Sequence, residues 1–181
     1  MSYCNFCKNL PDEDRHKIYH DHHYGFPIPE DDELFGRLIL EIMQAGLSWN
    51  IILKKEPHFR EAFDEFSIDR IAEYDEEKIN SLLANQNIIR NVLKIRSVIH
   101  NAQQVKMLQD EYGTFNEWIY LQDAKDKIEW VKIFKKKFKF VGGEIVNEFL
   151  MSIGVLKGAH QEDCPVFEKQ LKTYQKWKEH E

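Results

Sequence analysis

Along residues 31–46, DDELFGRLILEIMQAG, the apolar side chains fall at Leu34, Phe35, Leu38, Ile39, Ile42 and Met43. That i, i+1, i+4, i+5 spacing keeps one face of a 3.6-residue helix apolar. Asp31 or Asp32 caps its start, and Gly46 stops it. A second long pattern runs over 88–108, with Ile89, Val92, Leu93, Ile95, Val98, Ile99, Ala102 and Val105. Residues 58–66 and 75–84 predict two shorter helices, separated by a turn at Ser67–Asp69. Residues 114–121 and 125–137 carry weaker helical patterns, and Val141–Val155 a clear one after FKFVGG. Period-2 alternation is missing, so the chain predicts an all-α fold of roughly eight or nine short helices. No repeat, low-complexity tract or Pro/Gly linker divides it. One domain over residues 1–181 is expected, with room for two helical lobes around a central cleft.

Composition changes this picture little. Apolar residues make up 43% and charged residues 31% of 181, as in ordinary globular chains. The net charge of −6 does not advertise nucleic-acid binding, although a local basic patch is enough for it. The densest such patch is Lys132, Lys135, Lys136, Lys137 and Lys139, interleaved with Phe134, Phe138 and Phe140; a solvated helix face explains it equally well. The N-terminus lacks a basic region followed by an apolar run, and no apolar stretch approaches the ~20 residues that span a bilayer. A cytoplasmic, reducing setting is the expectation. Cys4, Cys7 and Cys164 are then expected as thiols or metal ligands rather than disulfides.

The chain ends look least regular, yet they hold the residues with the most chemistry. Cys4, Cys7, His16, His20, His22 and His23 lie near one end, and His160, Cys164 and His180 near the other. His160 and Cys164 stand four apart, so one helical turn or tight loop aims both the same way. Thiolates with imidazoles suit a closed tetrahedral zinc site, which would staple the ends together. CNFC is a CxxC without a second one at ribbon spacing. His20–Asp21 also fits a catalytic metal in a helical phosphohydrolase, and the absence of any metal is a third alternative. Away from the ends, Glu41 sits on the edge of the apolar stripe of its helix. Buried there, a carboxylate needs a partner or a proton; a flanking surface glutamate is the equal alternative. With the rings of Trp49, Tyr19 and Tyr24, a buried Glu41 would make a receptor for a flat cationic heterocycle. For any one of these aromatics taken singly, core packing is the better explanation.

Taken together, these segments resemble the 3-methyladenine DNA glycosylase I family of helix-hairpin-helix base-excision enzymes. The matching stretches are Cys4, YHDHHYG (19–25), LFGRLILEIMQAGLSWNIILKK (34–55), NIIRNVLKIRSVIHNA (87–102), FKFVG (138–142) and HQEDCP (160–165). The pattern E-x-x-Q-A-G-L-S-W with a terminal H-x-x-x-C is highly specific, and the segments span nearly the whole chain. The resemblance implies a structural zinc ion, one per chain, on Cys4, His20, His160 and Cys164. It implies that Glu41 reads the base, that Tyr19 and Trp49 stack on it, and that Gly46 and Leu47 fill the gap left by a flipped nucleotide. It implies that segment 87–96 grips the backbone of double-stranded DNA, with Asn87, Arg90 and Lys94 as contacts. Three positions depart from the pattern. His16 stands where similar sequences carry a pocket tyrosine, Tyr24 where they carry tryptophan, and Asn87 where they carry glycine. Asn is the side chain that best tolerates positive φ. Region 114–137 matches poorly.

The implied reaction is hydrolysis of the N-glycosidic bond of 3-methyladenine, with release of the free base. No lysine is an obvious Schiff-base nucleophile, so a monofunctional enzyme is expected, acting as a monomer. The competing expectations are a non-catalytic zinc-containing DNA-binding module and the His20–Asp21 phosphohydrolase.

Overall fold

The stripe that begins at Leu34 forms the buried axis of the molecule. In the computed structural model, which describes residues 2–180, helix α3 (Asp31–Gln44) buries ten consecutive residues from Leu34 to Met43. Ahead of it lie α1 (Tyr3–Cys7) and α2 (Arg15–His22). Behind it come α4 (Trp49–Ala62), α5 (Ile68–Ala72), α6 (Glu76–Ala84), α7 (Val92–Tyr112) and α8 (Phe115–Leu121). The chain finishes with α9 (Lys127–Lys137), α10 (Gly143–Ser152) and α11 (Pro165–Leu171). Short 3-10 turns occupy Asp64–Phe66 and Lys176–His180. The described residues contain no strand, and none of their helices is long and apolar enough to cross a membrane.

A helix buried all round needs partners on every side. Helices α4, α5, α7, α8 and α10 all pack on α3. Its ends are tied by side chains as well as by its own ladder. The Asp31 carboxylate accepts from the backbone N–H groups of Phe115 (2.7 Å) and Asn116 (3.1 Å) and from Gln109 (2.7 Å). One carboxylate thereby anchors the start of α8 to the start of α3. At the other end, the Lys94 ammonium donates to the carbonyls of Met43 (2.9 Å) and Ala45 (2.7 Å). A cation there also complements the negative end of the helix dipole.

Several boundaries differ from the sequence expectation, each for a physical reason. The helix expected over 58–66 begins at Trp49 and runs through Pro57. An interior proline costs about 3 kcal/mol locally. Burial of Ile52, Leu53 and Phe59 on the core side outweighs it. That helix stops earlier than expected, because Asp64, Glu65 and Phe66 all adopt positive φ (50°, 56° and 61°). The turn drives Phe66 onto the face of α3, where only Gly36 leaves room for its ring. The helix expected from residue 88 starts at Val92, because the Asn91 side chain accepts from the N–H groups of Leu93 and Lys94. The supposedly irregular ends hold α1, α2 and α11. Helix α2 reads RHKIYHDH, without an apolar period, and is started by Asp14, whose side chain accepts from the N–H of His16.

A methyl group on Gly36 would lie 2.3 Å from the Phe66 ring. Gly36→Ala is therefore expected to destabilise the fold by about 1–3 kcal/mol, the usual range for an overpacked core. A denaturant melt checks this; unchanged stability would mean that the Phe66 turn yields freely.

Candidate active site and metal centre

Four buried side chains from the two chain ends converge. Cys4 comes from α1, His20 from α2, His160 from the loop after α10, and Cys164 from the N-cap of α11. Their ligand atoms all lie within 4.8 Å of one another. Cys4 Sγ is 3.8 Å from His160 Nδ1, and Cys164 Sγ is 3.8 Å from His20 Nε2 and 4.0 Å from His160 Nδ1. A zinc tetrahedron with bonds of about 2.0–2.3 Å has edges of about 3.3–3.8 Å, so a slight contraction closes this cluster on an ion. The outward ring nitrogens are already committed. His20 Nδ1 lies 2.6 Å from the Asp21 carboxylate, and His160 Nε2 donates to the Tyr24 carbonyl at 2.7 Å. Such partners fix which nitrogen faces the metal. The donor set and its supports fit structural zinc, with no position left open for substrate. Cys7 lies outside the cluster, fully buried, with its Sγ 3.6 Å from the His16 carbonyl. His22 and His23 are exposed.

Next to this centre the chain forms a cavity of about 170 Å³. Tyr3, Tyr19, Tyr24, Glu41, Gln44, Trp49 and Glu148 line it. Tyr19 and Trp49 lie with ring centroids 5.1 Å apart and planes tilted by 53°, and Tyr24 lies 5.6 Å from Tyr19. The Trp49 indole N–H has no partner among the described residues. Glu41 is only 4% exposed. Burial pushes its carboxyl up to about 8; Arg37 opposes the shift and the nearby Glu148 adds to it. Arg37 precedes Glu41 by one helical turn. Its guanidinium donates to the Tyr19 hydroxyl (3.1 Å) and sits 4.9 Å from the centre of that ring. The same cation thus holds one wall of the cavity and favours charge on its acid. A larger hollow of about 480 Å³ shares Tyr19 and Trp49 but not Glu41.

The remaining expected site residues divide. Gly46 is exposed at φ 81°, and no atom would meet a Cβ there, so its turn protrudes freely. Leu47 follows it, half-buried, with its N–H on the Gln44 carbonyl at 2.7 Å and its own carbonyl accepting from the Gln44 amide at 2.9 Å. Asn87 and Arg90 are exposed in the hairpin between α6 and α7. The hairpin does not need positive φ at Asn87. Its Asn87 N–H bonds the Asn85 side chain, and Lys55 donates to the Asn87 carbonyl at 2.7 Å. Lys94, expected at a phosphate, is turned inward: it is 5% exposed and spends its ammonium on the end of α3. His16, expected against the base, does not line the cavity. It stands behind Tyr3, whose hydroxyl lies 3.1 Å from His16 Nδ1. Phe134 and Phe138 of the basic stretch are core residues, while Lys132, Lys135, Lys136 and Lys139 are exposed.

Sequence reasoning missed Tyr3, Gln44 and Glu148 as cavity residues. Nothing in the spacing of Tyr3 or Glu148 announces them, because the fold brings them in from α1 and α10. Arg37 left a usable signal: a basic residue four before Glu41, on an otherwise apolar stripe.

Two outcomes follow. Elemental analysis is expected to find about one zinc per chain. Cys164→Ser should release it and lower the melting temperature, whereas His22→Ala and His23→Ala should retain it. The second concerns pH. Folding raises the Glu41 pKa, so the folded state holds a proton that the unfolded chain gives up between about pH 4.5 and 8. Its contribution to stability is fully present below pH 4.5 and is lost as pH rises towards 8, by about 1 kcal/mol per pH unit. Glu41→Gln should therefore flatten that slope in melts across the window; an unchanged slope would show that Glu41 is not the buried acid responsible.

Comparison with known proteins agrees with this geometry. Residues 9–168 match the sequence model of the methyladenine glycosylase family. The chain is 30% identical over 166 residues to the DNA-3-methyladenine glycosylase of Haemophilus influenzae, covering 81% of this chain and 89% of that one. It is 30% identical over 159 residues to DNA-3-methyladenine glycosylase 1 of Escherichia coli, covering 76% and 84%. In three dimensions it superposes on 3-methyladenine DNA glycosylase I of Staphylococcus aureus with a TM-score of 0.79 at 29% identity, covering 91% of this chain and 97% of that one. With a family match that spans most of its length, and with a buried acid among aromatic rings beside a four-ligand cluster, the chain belongs to the methyladenine glycosylase family.

Proposed function

We propose that this chain binds alkylated double-stranded DNA, takes a flipped 3-methyladenine into the Tyr19–Trp49 cavity, and hydrolyses its N-glycosidic bond. The family membership makes it a base-excision DNA glycosylase. The observation that carries the finer reading is the buried Glu41 at the wall of a small aromatic cavity. Such a site is poor for a neutral hydrocarbon and good for a flat cation.

Methylation at N3 places formal positive charge on adenine and labilises the bond to the sugar. The base must leave the stack to be reached. Tyr19 and Trp49 then pack against its ring, and Glu41 accepts from the exocyclic amine. A cation beside Glu41 draws the carboxyl back towards its ionised form, exchanging a proton for the lesion's charge. Water attacks the sugar carbon, the bonding pair moves into the ring, and the base departs neutral. The proton lost by the water goes to solvent. No lysine lines the cavity among the described residues. The two buried ones, Lys94 and Lys176, donate to backbone carbonyls. A Schiff base and strand cleavage are therefore not expected. Zinc, when bound, supplies structure: it holds His20, and with it the neighbouring Tyr19, in the cavity wall.

In this reading the turn at the exposed Gly46 and half-buried Leu47 enters the space a flipped nucleotide vacates, and Asn87 and Arg90, exposed on the hairpin, meet the backbone. We take the acting species to be a monomer.

Release of free 3-methyladenine from methylated duplex DNA tests the reading. Trp49→Ala should slow release roughly tenfold or more, since stacking is worth about 1–3 kcal/mol per base. Glu41→Gln should slow it by a similar factor, since a hydrogen bond to a charged group is worth about 1.5–3 kcal/mol. Wild-type rates in both variants would overturn the assignment.

A further inference from the structure

The cavity has a second carboxylate. Glu148, on α10, lines it together with Glu41 from α3, so two helices each present an acid to one space of about 170 Å³. The Tyr24 hydroxyl donates to Glu148 at 3.2 Å. Tyr24 is itself fixed from below, since its carbonyl accepts from His160 and its ring packs against those of Tyr19 and Tyr3. This pair involves one of the three departures from the family pattern, because similar sequences carry tryptophan at Tyr24. An indole N–H would also donate, but from a different place on the ring, so the hydroxyl contact with Glu148 belongs to this chain's tyrosine.

Two acids around one small cavity repel each other when both are ionised, and burial adds to that penalty. Glu148 is held above the usual carboxylate range by burial, with Glu144 adding to the shift and Tyr24, Asn147 and Lys127 opposing it. Two charges there are unfavourable unless a proton or a cation relieves them, and an entering cation can take the proton's place. An ionised carboxylate only accepts hydrogen bonds, at about four lone-pair sites, and the Tyr24 hydroxyl occupies one of them. What fits is a ligand with positive charge spread over a ring and N–H donors on its rim, which is the chemistry of an N-alkylated purine.

We propose that Glu148, steered by the Tyr24 hydroxyl, is a second base-reading carboxylate that contacts the cationic purine from α10 while Glu41 contacts it from α3. It is a specificity-determining residue: a neutral purine gains little from two acids, whereas a cationic one relieves their mutual repulsion. This rests on the glycosylase reading above.

The test is release of 3-methyladenine from methylated duplex by wild type, Glu148→Gln, Tyr24→Phe and the double variant, with zinc content and melting temperature measured on each. Gln keeps the shape of Glu and still accepts from Tyr24, so the fold is expected to survive. Glu148→Gln should slow release about tenfold, equivalent to about 1.4 kcal/mol, and Tyr24→Phe distinctly less. If Glu148 only braces Tyr24, Tyr24→Phe and the double variant will lose alike while Glu148→Gln, which keeps that hydrogen bond, stays near wild type, and the proposal fails. Release by Glu148→Gln at the wild-type rate overturns it too, while leaving the glycosylase reading intact. Failure of the wild type itself to release the base would overturn the glycosylase reading first. Should Glu148→Gln fold poorly, release of 3-methyladenine from methylated duplex by Glu148→Asp decides instead: slower release supports the proposal and an unchanged rate refutes it.

Discussion

Burying the Glu41 carboxylate on the central helix is the constraint around which this structure is arranged. An acid without solvent is costly unless it is protonated, paired or hydrogen-bonded. Helix α3 cannot turn it outwards, because the residues on either side belong to the core. The compensation is spread over neighbours that serve the cavity at the same time. Arg37 sits one turn away and favours the ionised form, and through the Tyr19 hydroxyl it fixes a stacking ring. Stability and recognition are in tension at this position, as buried ionisable groups at functional sites usually are.

The second arrangement is the closure of the chain ends. Helices α1, α2 and α11 are short, and α1 and α11 bury only a few side chains each. Isolated helices of five to eight residues do not persist in water. Four metal-ligand side chains bring these segments together, and His20 places Tyr19 beside the cavity in the next residue. The metal centre therefore bears on function through one peptide link, without touching substrate.

Much of this was legible in the sequence, and the rest was hidden for identifiable reasons. The α3 stripe predicted a helix with one buried face, and five helices packed around it bury the other faces too. Glu41 was readable only as a residue on the edge of that stripe, where burial and a surface position were equally open. The ligand cluster was readable only as residue types at the two ends; which four converge came from the family resemblance, and the fold gathers those same four. Helix α2 was invisible because its order derives from an Asp14 cap and from tertiary contacts, neither of which leaves a period. Lys94 misled because a lysine at a hairpin reads as a phosphate contact, whereas here its ammonium caps the end of α3. Exposure at such a position depends on how α7 crosses α3, which no local pattern encodes.

His16 shows how a departure in sequence is absorbed in space. Similar sequences place a tyrosine there, and here an imidazole replaces it. The ring that reaches the cavity is Tyr3 of α1, and His16 stands behind it at 3.1 Å from its hydroxyl. The cavity keeps an aromatic lining although the residue expected to provide it has moved out of reach. Tyr3 precedes the ligand Cys4, just as Tyr19 precedes the ligand His20. Two of the cavity's rings are thus each one residue from a metal ligand, on two different helices. A change in the metal cluster would shift both rings together, so the shape of the cavity depends on the closure of the chain ends as much as on the core helix that carries its acid.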